Sequence, residues 1–368
     1  MLHYYQSLLN RISRLLVFFA IIVSLGTAAL AGQIWGPVLG DLKSTSVSIC
    51  WRDGEEPAEG VLFNGKRLAG TVADNYRKVS LLDLQPDTDY AYTFQAGDQQ
   101  QKYTFRTAPA GPDSFTFAVY GDTRSNPVAH EKVVTGIMKL RPRFVINSGD
   151  LVADGRKPEL WDEFFKVAAP LTAVTQYLPA PGNHEMNADY FLRIFPFAVG
   201  EGPVGQDAYT YSYGDVRVIV LNSTRNITAQ RDWLDKFLEL AKGTATWSLV
   251  VFHHPPYSSS ARNGDANLRA EWVPVLEKHH VDAVFLGHDH FYERSVKDGI
   301  QYLIAGGGGA PLYAPNAKPN PYQQKAEKSY HFLEGVVKKE KNSSTLTLRM
   351  IRLDGTVGDE VVLTKKGK

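Results

Sequence analysis

The stretch 115–124, FTFAVYGDTR, carries the pattern that decides the fold, because a short apolar run leads directly into a polar cluster. The same arrangement recurs at RFVINSGD (143–150), QYLPAPGNHE (176–185), WSLVVFHHPPY (247–257) and VDAVFLGHDHFYER (281–294). Helix-like apolar spacing lies between several of these runs, over 128–140, 157–172, 229–241 and 267–279. Short buried strands that alternate with helices predict an α/β sheet. Ligands of such sheets bind beyond the carboxyl ends of the strands, where all five clusters fall.

Six side chains of these clusters carry atoms that bind metals, namely Asp122, Asp150, Asn183, His253, His288 and His290. This mixed nitrogen and oxygen set suits zinc, iron or manganese and does not suit calcium. Two cations about 3.5–4 Å apart could clamp a phosphoryl group and supply a hydroxide at neutral pH. Each cluster taken singly also fits an ordinary turn or strand end, so the prediction depends on the whole ordered set.

The combined motifs GDTR, GDLV, GNHE, HHPPY and GHDHFYER resemble those of the calcineurin-like metallophosphoesterases, and within them the purple acid phosphatase-like branch. The resemblance implies a double-sheet sandwich flanked by helices over residues 115–368. It also implies that Asp150 bridges two metal ions and that His184 faces the substrate, where it stabilises phosphate or protonates the leaving group. Asn183, His253 and His288 would complete the ligand set of one ion, and Asp122 and His290 would belong to that of the other.

Two positions depart from the family pattern. Arg124 stands where many members have the His of a D-x-H motif, and Ala153 stands where purple acid phosphatases have a metal-binding Tyr. A ferric tyrosinate site is therefore not implied. His130, expected at the start of the following helix, is either the missing ligand or a surface His. Arg124 either holds phosphate oxygens in a bidentate fork or pairs with a nearby carboxylate.

The segment before the first cluster lacks helical periodicity. Val47–Trp51 and Tyr90–Phe94 alternate as half-buried strands do, and the stretch 82–90, LDLQPDTDY, resembles the tyrosine corner of a fibronectin type III-like sandwich. We predict a small all-β domain over 32–108 without chemistry of its own, and a linker over 109–114. Near the other end, strands over 331–338, 345–352 and 359–364 are predicted to complete a second sheet.

The first 31 residues have the pattern of a secretory signal. Arg11 and Arg14 precede the uncharged run Leu15–Ala31, which ends in small residues. Cleavage after Ala31 predicts a secreted or periplasmic protein, and the alternative is an uncleaved membrane anchor. The single Cys, Cys50, cannot form an internal disulfide and is expected in the core.

The charge balance is even, with 40 Lys and Arg against 39 Asp and Glu and a net charge of +1. It provides no broad basic field, so we expect no nucleic acid as a specific partner and no membrane after signal cleavage. The sequence predicts an exported binuclear metal-dependent phosphomonoesterase with two divalent ions of zinc, iron or manganese. One alternative is a phosphodiesterase or nucleotidase on the same core. The other, motivated by the incomplete Asp122 site, is a catalytically impaired surface-binding protein.

Overall fold

A computed structural model of the protein describes residues 34–96, 99–195 and 208–366. The predicted signal segment, residues 1–31, lies outside the described residues. Within the described ranges, no helix is both long enough and apolar enough to cross a membrane.

The described residues 34–106 form β-strands and no helix, as predicted for this part of the chain. Its strands are β1 Trp35–Gly40, β2 Val47–Arg52, β3 Gly60–Phe63, β4 Lys66–Leu68, β5 Thr71–Ala73, β6 Tyr76–Leu81, β7 Asp89–Ala96 and β8 Gln99–Arg106. Tyr90 Oη accepts a hydrogen bond from the Gln85 N–H at 2.8 Å, which is the contact a tyrosine corner makes. The fibronectin type III-like assignment itself stays a prediction.

The remaining strands are β9 Phe115–Tyr120, β10 Phe144–Asn147, β11 Gln176–Pro179, β12 Ala208–Tyr213, β13 Val216–Leu221, β14 Trp247–Val251, β15 Ala283–Leu286, β16 Tyr292–Lys297, β17 Ile300–Ala305, β18 Gln323–Glu327, β19 His331–Lys339, β20 Ser343–Arg352 and β21 Val357–Lys366. The helices are α1 Pro127–Lys139, α2 Pro158–Thr172, α3 Asp189–Ile194, α4 Ile227–Ala241, α5 Ala266–Glu271 and α6 Val273–Lys278. All five apolar runs that precede the polar clusters are strands.

Two mixed sheets form the α/β part, and their strand orders are β21-β20-β19-β9-β10-β11-β1-β2-β6-β5 and β12-β13-β14-β15-β17-β16-β18. The sheets pack against each other through aromatic rings. The ring centroids of Phe117 and Phe285 are 6.1 Å apart, and those of Phe144 and Tyr211 are 5.7 Å apart. The predicted double-sheet sandwich flanked by helices is therefore confirmed.

The front strands continue the first sheet. β1 runs parallel to β11, with Leu39 opposite Gln176, and the separate sheet β4-β3-β7-β8 covers the front core. The buried Tyr92 donates its hydroxyl proton to the Ala173 carbonyl at 2.8 Å and so ties β7 to the end of α2. The domain bounds 32–108 and 115–368 stay predictions.

Two expectations about the elements were wrong in detail. The predicted helix over 267–279 is divided at Trp272 into α5 and α6, because Pro274 has no N–H to continue the helical hydrogen bonds. The C-terminal strands extend the first sheet and do not complete the second. β19 pairs antiparallel with β9, with Leu333 opposite Val119, while β12–β18 supply the second sheet. β19 is buried along most of its length and so suits a place beside the central β9.

Candidate metal centre

The predicted ligands lie in tight turns that follow the parallel strands. Asp122, Asp150 and His288 all adopt the left-handed conformation, with φ of 56°, 55° and 70°. The turns also approach one another closely, since a Cβ on Gly182 would lie 2.3 Å from Asp150 Oδ1. Only glycine fits there, which explains the Gly of the GNHE motif.

The structure brings the six predicted ligands together. Donor atoms of Asp122, Asp150 and His253 all lie within 4.8 Å of one another. Asp150 Oδ1 is 3.3 Å from His253 Nε2, and Asp122 Oδ1 is 3.6 Å from His290 Nε2. The last two donors are also in contact, because His288 Nδ1 lies 2.9 Å from Asn183 Oδ1. Their individual roles as ligands stay predictions.

The imidazole rings are oriented as ligands of a cation would be. His253 Nδ1 donates to the Ser148 carbonyl at 2.8 Å, and His290 Nδ1 donates to the Pro311 carbonyl at 2.9 Å. Each ring therefore directs Nε2 toward the carboxylates, and the buried His253 Nε2 has no hydrogen-bond partner within the described residues. A backbone carbonyl behind a histidine is the usual support of a metal ligand, so the residues fit a bound cation.

Burial sets the electrostatics of the carboxylates. It raises the pKa of Asp122 to about 8, with His253 opposing the change and Asp150 adding to it. Burial acts in the same direction on Asp150, but the neighbouring His253 outweighs it and holds the pKa of that carboxyl well below its usual range. The pKa of His253 rises to about 9, because Asp150 overcomes the burial of the ring. The two buried carboxylates, Asp122 and Asp150, are therefore stabilised by a bound proton or by a cation.

His254, which the motifs did not single out as a ligand, belongs to the same cluster. Its donor atoms lie within 4.8 Å of those of His253 and His288, and its ring centroid is 4.3 Å from that of His288. Burial, followed by the charge of His253, lowers its pKa to about 4, so the ring is neutral. The consecutive histidines of the HHPPY motif were the available signal.

Glu185 holds two of the ligand turns together. Its buried carboxylate accepts hydrogen bonds from the backbone N–H of Gly182 at 2.6 Å, Asp150 at 2.9 Å and Leu151 at 2.8 Å. Burial raises its pKa to about 7. The acid of the GNHE motif is therefore a positioning residue that fixes Asp150 relative to Asn183.

Arg124 lies against two of the predicted ligands. Its Nη2 is 3.3 Å from His290 Nε2, and its Nε is 3.5 Å from Asp150 Oδ2. The carboxylate that lies near Arg124 is thus that of Asp150. Ala153 contributes its carbonyl, which accepts a hydrogen bond from His184 Nδ1 at 2.7 Å. The His184 Nε2 then faces the centre, 3.8 Å from Asp150 Oδ2.

His130 is buried in α1 and not on the surface, which excludes the surface alternative. Its ring packs between Tyr120 and Phe164, with centroids 5.9 and 5.7 Å away. It lines a cavity of about 60 Å³ together with Arg124, and its Nε2 has no hydrogen-bond partner in the described ranges. Its role as a ligand stays a prediction, which metal analysis of His130→Ala tests.

The fold agrees with comparisons to known proteins. Residues 115–292 match the calcineurin-like phosphoesterase family, and this part of the chain is a domain of that family. Its relatives include purple acid phosphatases. The chain is 27% identical to purple acid phosphatase 5 of Arabidopsis thaliana, over 64% of this chain and 59% of that protein. It is 29% identical to the Fe(3+)-Zn(2+) purple acid phosphatase 12 of the same plant, over 62% of this chain and 54% of that protein.

A solved structure shares the fold. The purple acid phosphatase PPD1 from yellow lupin (Lupinus luteus) seeds superposes with a TM-score of 0.72 at 18% identity, over 90% of this chain and 74% of that chain. The chain spans between half and two thirds of the length of the curated relatives it matches.

Proposed function

We propose that the protein is an exported phosphomonoesterase that works with two divalent transition-metal ions, of zinc, iron or manganese. The observation that carries the proposal is the convergence of six nitrogen and oxygen donors from five separate strand ends. The purple acid phosphatase relatives support the reaction class, and one of them carries iron and zinc in its name. Export is supported by the signal pattern at Arg11, Arg14 and Leu15–Ala31.

Asp150 would be shared by both ions, with Asn183, His253 and His288 around one and Asp122 and His290 around the other. When bound, the ions neutralise the phosphate and supply a hydroxide nucleophile at neutral pH. Arg124 lies beside the ligands Asp150 and His290, so its guanidinium can hold two non-bridging phosphate oxygens as charge develops on them.

His184 is suited to protonate the leaving alcohol. The hydrogen bond from Nδ1 to the Ala153 carbonyl fixes the ring and leaves Nε2 free to carry a transferable proton toward the centre. The side chain is 27% exposed, so a substrate can reach it from solvent. Monoesters are favoured by the purple acid phosphatase-like motifs, and phosphodiesters are the competing class.

Activity and metal content should be measured on the same preparation. The purified protein is loaded with zinc, iron or manganese, its metal content is determined, and release of p-nitrophenol from p-nitrophenyl phosphate and from its bis ester is compared. We expect about two ions per chain and faster monoester cleavage. Asp150→Asn should lose metal and activity, while Asp232→Asn on the exposed surface of α4 should retain both.

Faster cleavage of the bis ester would overturn the monoester assignment in favour of a phosphodiesterase. One ion or none, together with no cleavage of either ester, would favour the surface-binding alternative. N-terminal sequencing of the exported protein tests the signal, because a chain that retains Leu15–Ala31 is anchored and not cleaved.

A further inference from the structure

Arg262 is attached to the loop that carries two of the predicted ligands. Its Nη1 donates to Asp289 Oδ1 at 3.1 Å and lies 3.3 Å from Tyr313 Oη. Asp289 separates His288 from His290 in the chain. The guanidinium is therefore fixed at the edge of the metal centre although the side chain is 58% exposed.

The carboxylate that holds Arg262 is fully engaged. Asp289 is completely buried, and its Oδ2 accepts the Ser258 hydroxyl at 2.5 Å while its Oδ1 accepts the Tyr313 hydroxyl at 2.7 Å. With Arg262 on the same Oδ1, both oxygens have partners and the negative charge is compensated. Asp289 thus fixes the guanidinium and is not itself directed at a metal or a substrate.

The outer side of the guanidinium has no such partner. Among the described residues, nothing accepts a hydrogen bond from Nε or Nη2 of Arg262. A cavity of about 100 Å³ is bordered by Arg262, His254 and His288 and by the carboxylates of Asp289 and Asp265. The Asp265 Oδ1 accepts the Leu268 N–H at 2.9 Å at the start of α5. The Nε and Nη2 edge of arginine presents two parallel N–H groups, a geometry that matches a carboxylate or a phosphate.

We propose that Arg262 forms a subsite for a second acidic group of the substrate, a carboxylate or a further phosphate. This inference rests on the proposed function and names its substrate class: phosphomonoesters that carry a second acidic group besides the phosphate that is cleaved. The two arginines contact different residues of the centre. Arg124 contacts the ligands Asp150 and His290, whereas Arg262 borders His254 and His288. Arg124 is therefore assigned to the phosphate that is cleaved, and Arg262 to a group some distance from it.

A purely structural role for Arg262 makes a different prediction. The ion pair with Asp289 would then only hold the loop after β14, and its loss would affect charged and uncharged substrates alike. The test must therefore compare two substrates that differ in charge. 4-Carboxyphenyl phosphate and its methyl ester differ in this way, and 1,4-phenylene bisphosphate replaces the carboxylate by a phosphate.

We expect wild type to prefer both substrates that carry the second acidic group to the methyl ester, and Arg262→Gln to lower the ratio of kcat/KM values about tenfold. Arg262→Lys should have a ratio between those of Arg262→Gln and wild type, because lysine keeps the positive charge but lacks the two parallel N–H groups of arginine. Arg231→Gln is the matched control, since Arg231 is a partly exposed ion-paired arginine on α4. A preference for only one of the two substrates identifies carboxylate or phosphate as the recognised group.

A binding measurement accompanies the kinetics. Calorimetry on the zinc-loaded protein compares 3-phosphonopropionate with propylphosphonate, and we expect Arg262→Gln to weaken the first about tenfold relative to the second. If the variant weakens both equally, or if wild type does not discriminate between them, the subsite is wrong while the phosphatase proposal stands. If wild type binds neither phosphonate and cleaves no ester, both proposals are wrong.

Discussion

The role of Glu185 as the link between two ligand turns leads to a quantitative prediction for Glu185→Gln. The carboxylate accepts four backbone N–H groups, those of Gly182 and Asp150 on Oε2 and those of Leu151 and Val152 on Oε1. A Gln side chain offers only one oxygen, so its NH₂ must face at least one of these donors. The most favourable orientation keeps the bonds from Gly182 and Asp150 and places the NH₂ against the N–H groups of Leu151 and Val152.

The expected cost follows from the number of bonds lost. A hydrogen bond to a charged acceptor contributes roughly 1.5–3 kcal/mol, and a buried donor left without a partner costs roughly 1–3 kcal/mol. Part of this cost is relieved by small shifts of the turn, so we expect a loss of about 2–4 kcal/mol in the free energy of unfolding. Because the same turn positions Asp150, metal affinity should fall about 10- to 100-fold.

Two assays separate these effects. Urea unfolding of the metal-free protein at pH 8, where the carboxylate with its pKa of about 7 is ionised, measures the stability. Competition with a chromogenic chelator measures the affinity for zinc. The control is Glu131→Gln, because Glu131 is exposed on α1 and should tolerate the change in both assays.

If Glu185→Gln unfolded at the wild-type urea concentration and bound zinc with unchanged affinity, Glu185 would not link the two ligand turns. A loss of stability with wild-type zinc affinity would show that Glu185 supports the fold without positioning Asp150.

Three further outcomes are expected. Arg124→Ala should lower kcat/KM for p-nitrophenyl phosphate about 10- to 100-fold and weaken inhibition by inorganic phosphate; turnover and inhibition that both stay at wild-type values would exclude the phosphate contact. Tyr92→Phe removes the bond to the Ala173 carbonyl and should cost about 1–3 kcal/mol in urea unfolding, and a smaller change would mean that this contact does not stabilise the junction. Burial lowers the pKa of His331 from 6.5 to about 4. As the pH falls, His331 of the unfolded chain is therefore protonated before His331 of the folded chain. The contribution of this residue to the free energy of unfolding is complete above pH 6.5 and is lost between pH 6.5 and about 4. His331→Gln should therefore reduce the loss of unfolding free energy between pH 7.5 and 4.5 by about 2–3 kcal/mol, and an unchanged pH dependence would contradict this role.

Features that depend on neighbouring residues were predictable from the sequence. The strands before Asp122, Asp150 and His288 follow from short apolar runs that end in a glycine turn. The helices α1, α2 and α4 follow from apolar spacing. The types of donor atom were also visible, because the chemistry of a side chain does not depend on the fold.

Features that depend on distant partners required the tertiary structure. The pairing of β19 with β9 joins residues more than 200 positions apart, and no local pattern states which edge of which sheet a strand will join. The proximity of Asp122 to His288, 166 positions away, was expected only from the general rule about strand ends. Side-chain packing between separate turns also determines three further features. These are the hydrogen bonds of Glu185 to two ligand turns, the contact of Arg124 with Asp150, and the unpaired Nε and Nη2 edge of Arg262. By itself the sequence determined which atoms are available to bind a metal and on which strand ends they stand. Their distances and hydrogen-bond partners were decided by the packing of the two sheets, because non-local contacts alone bring those strand ends together.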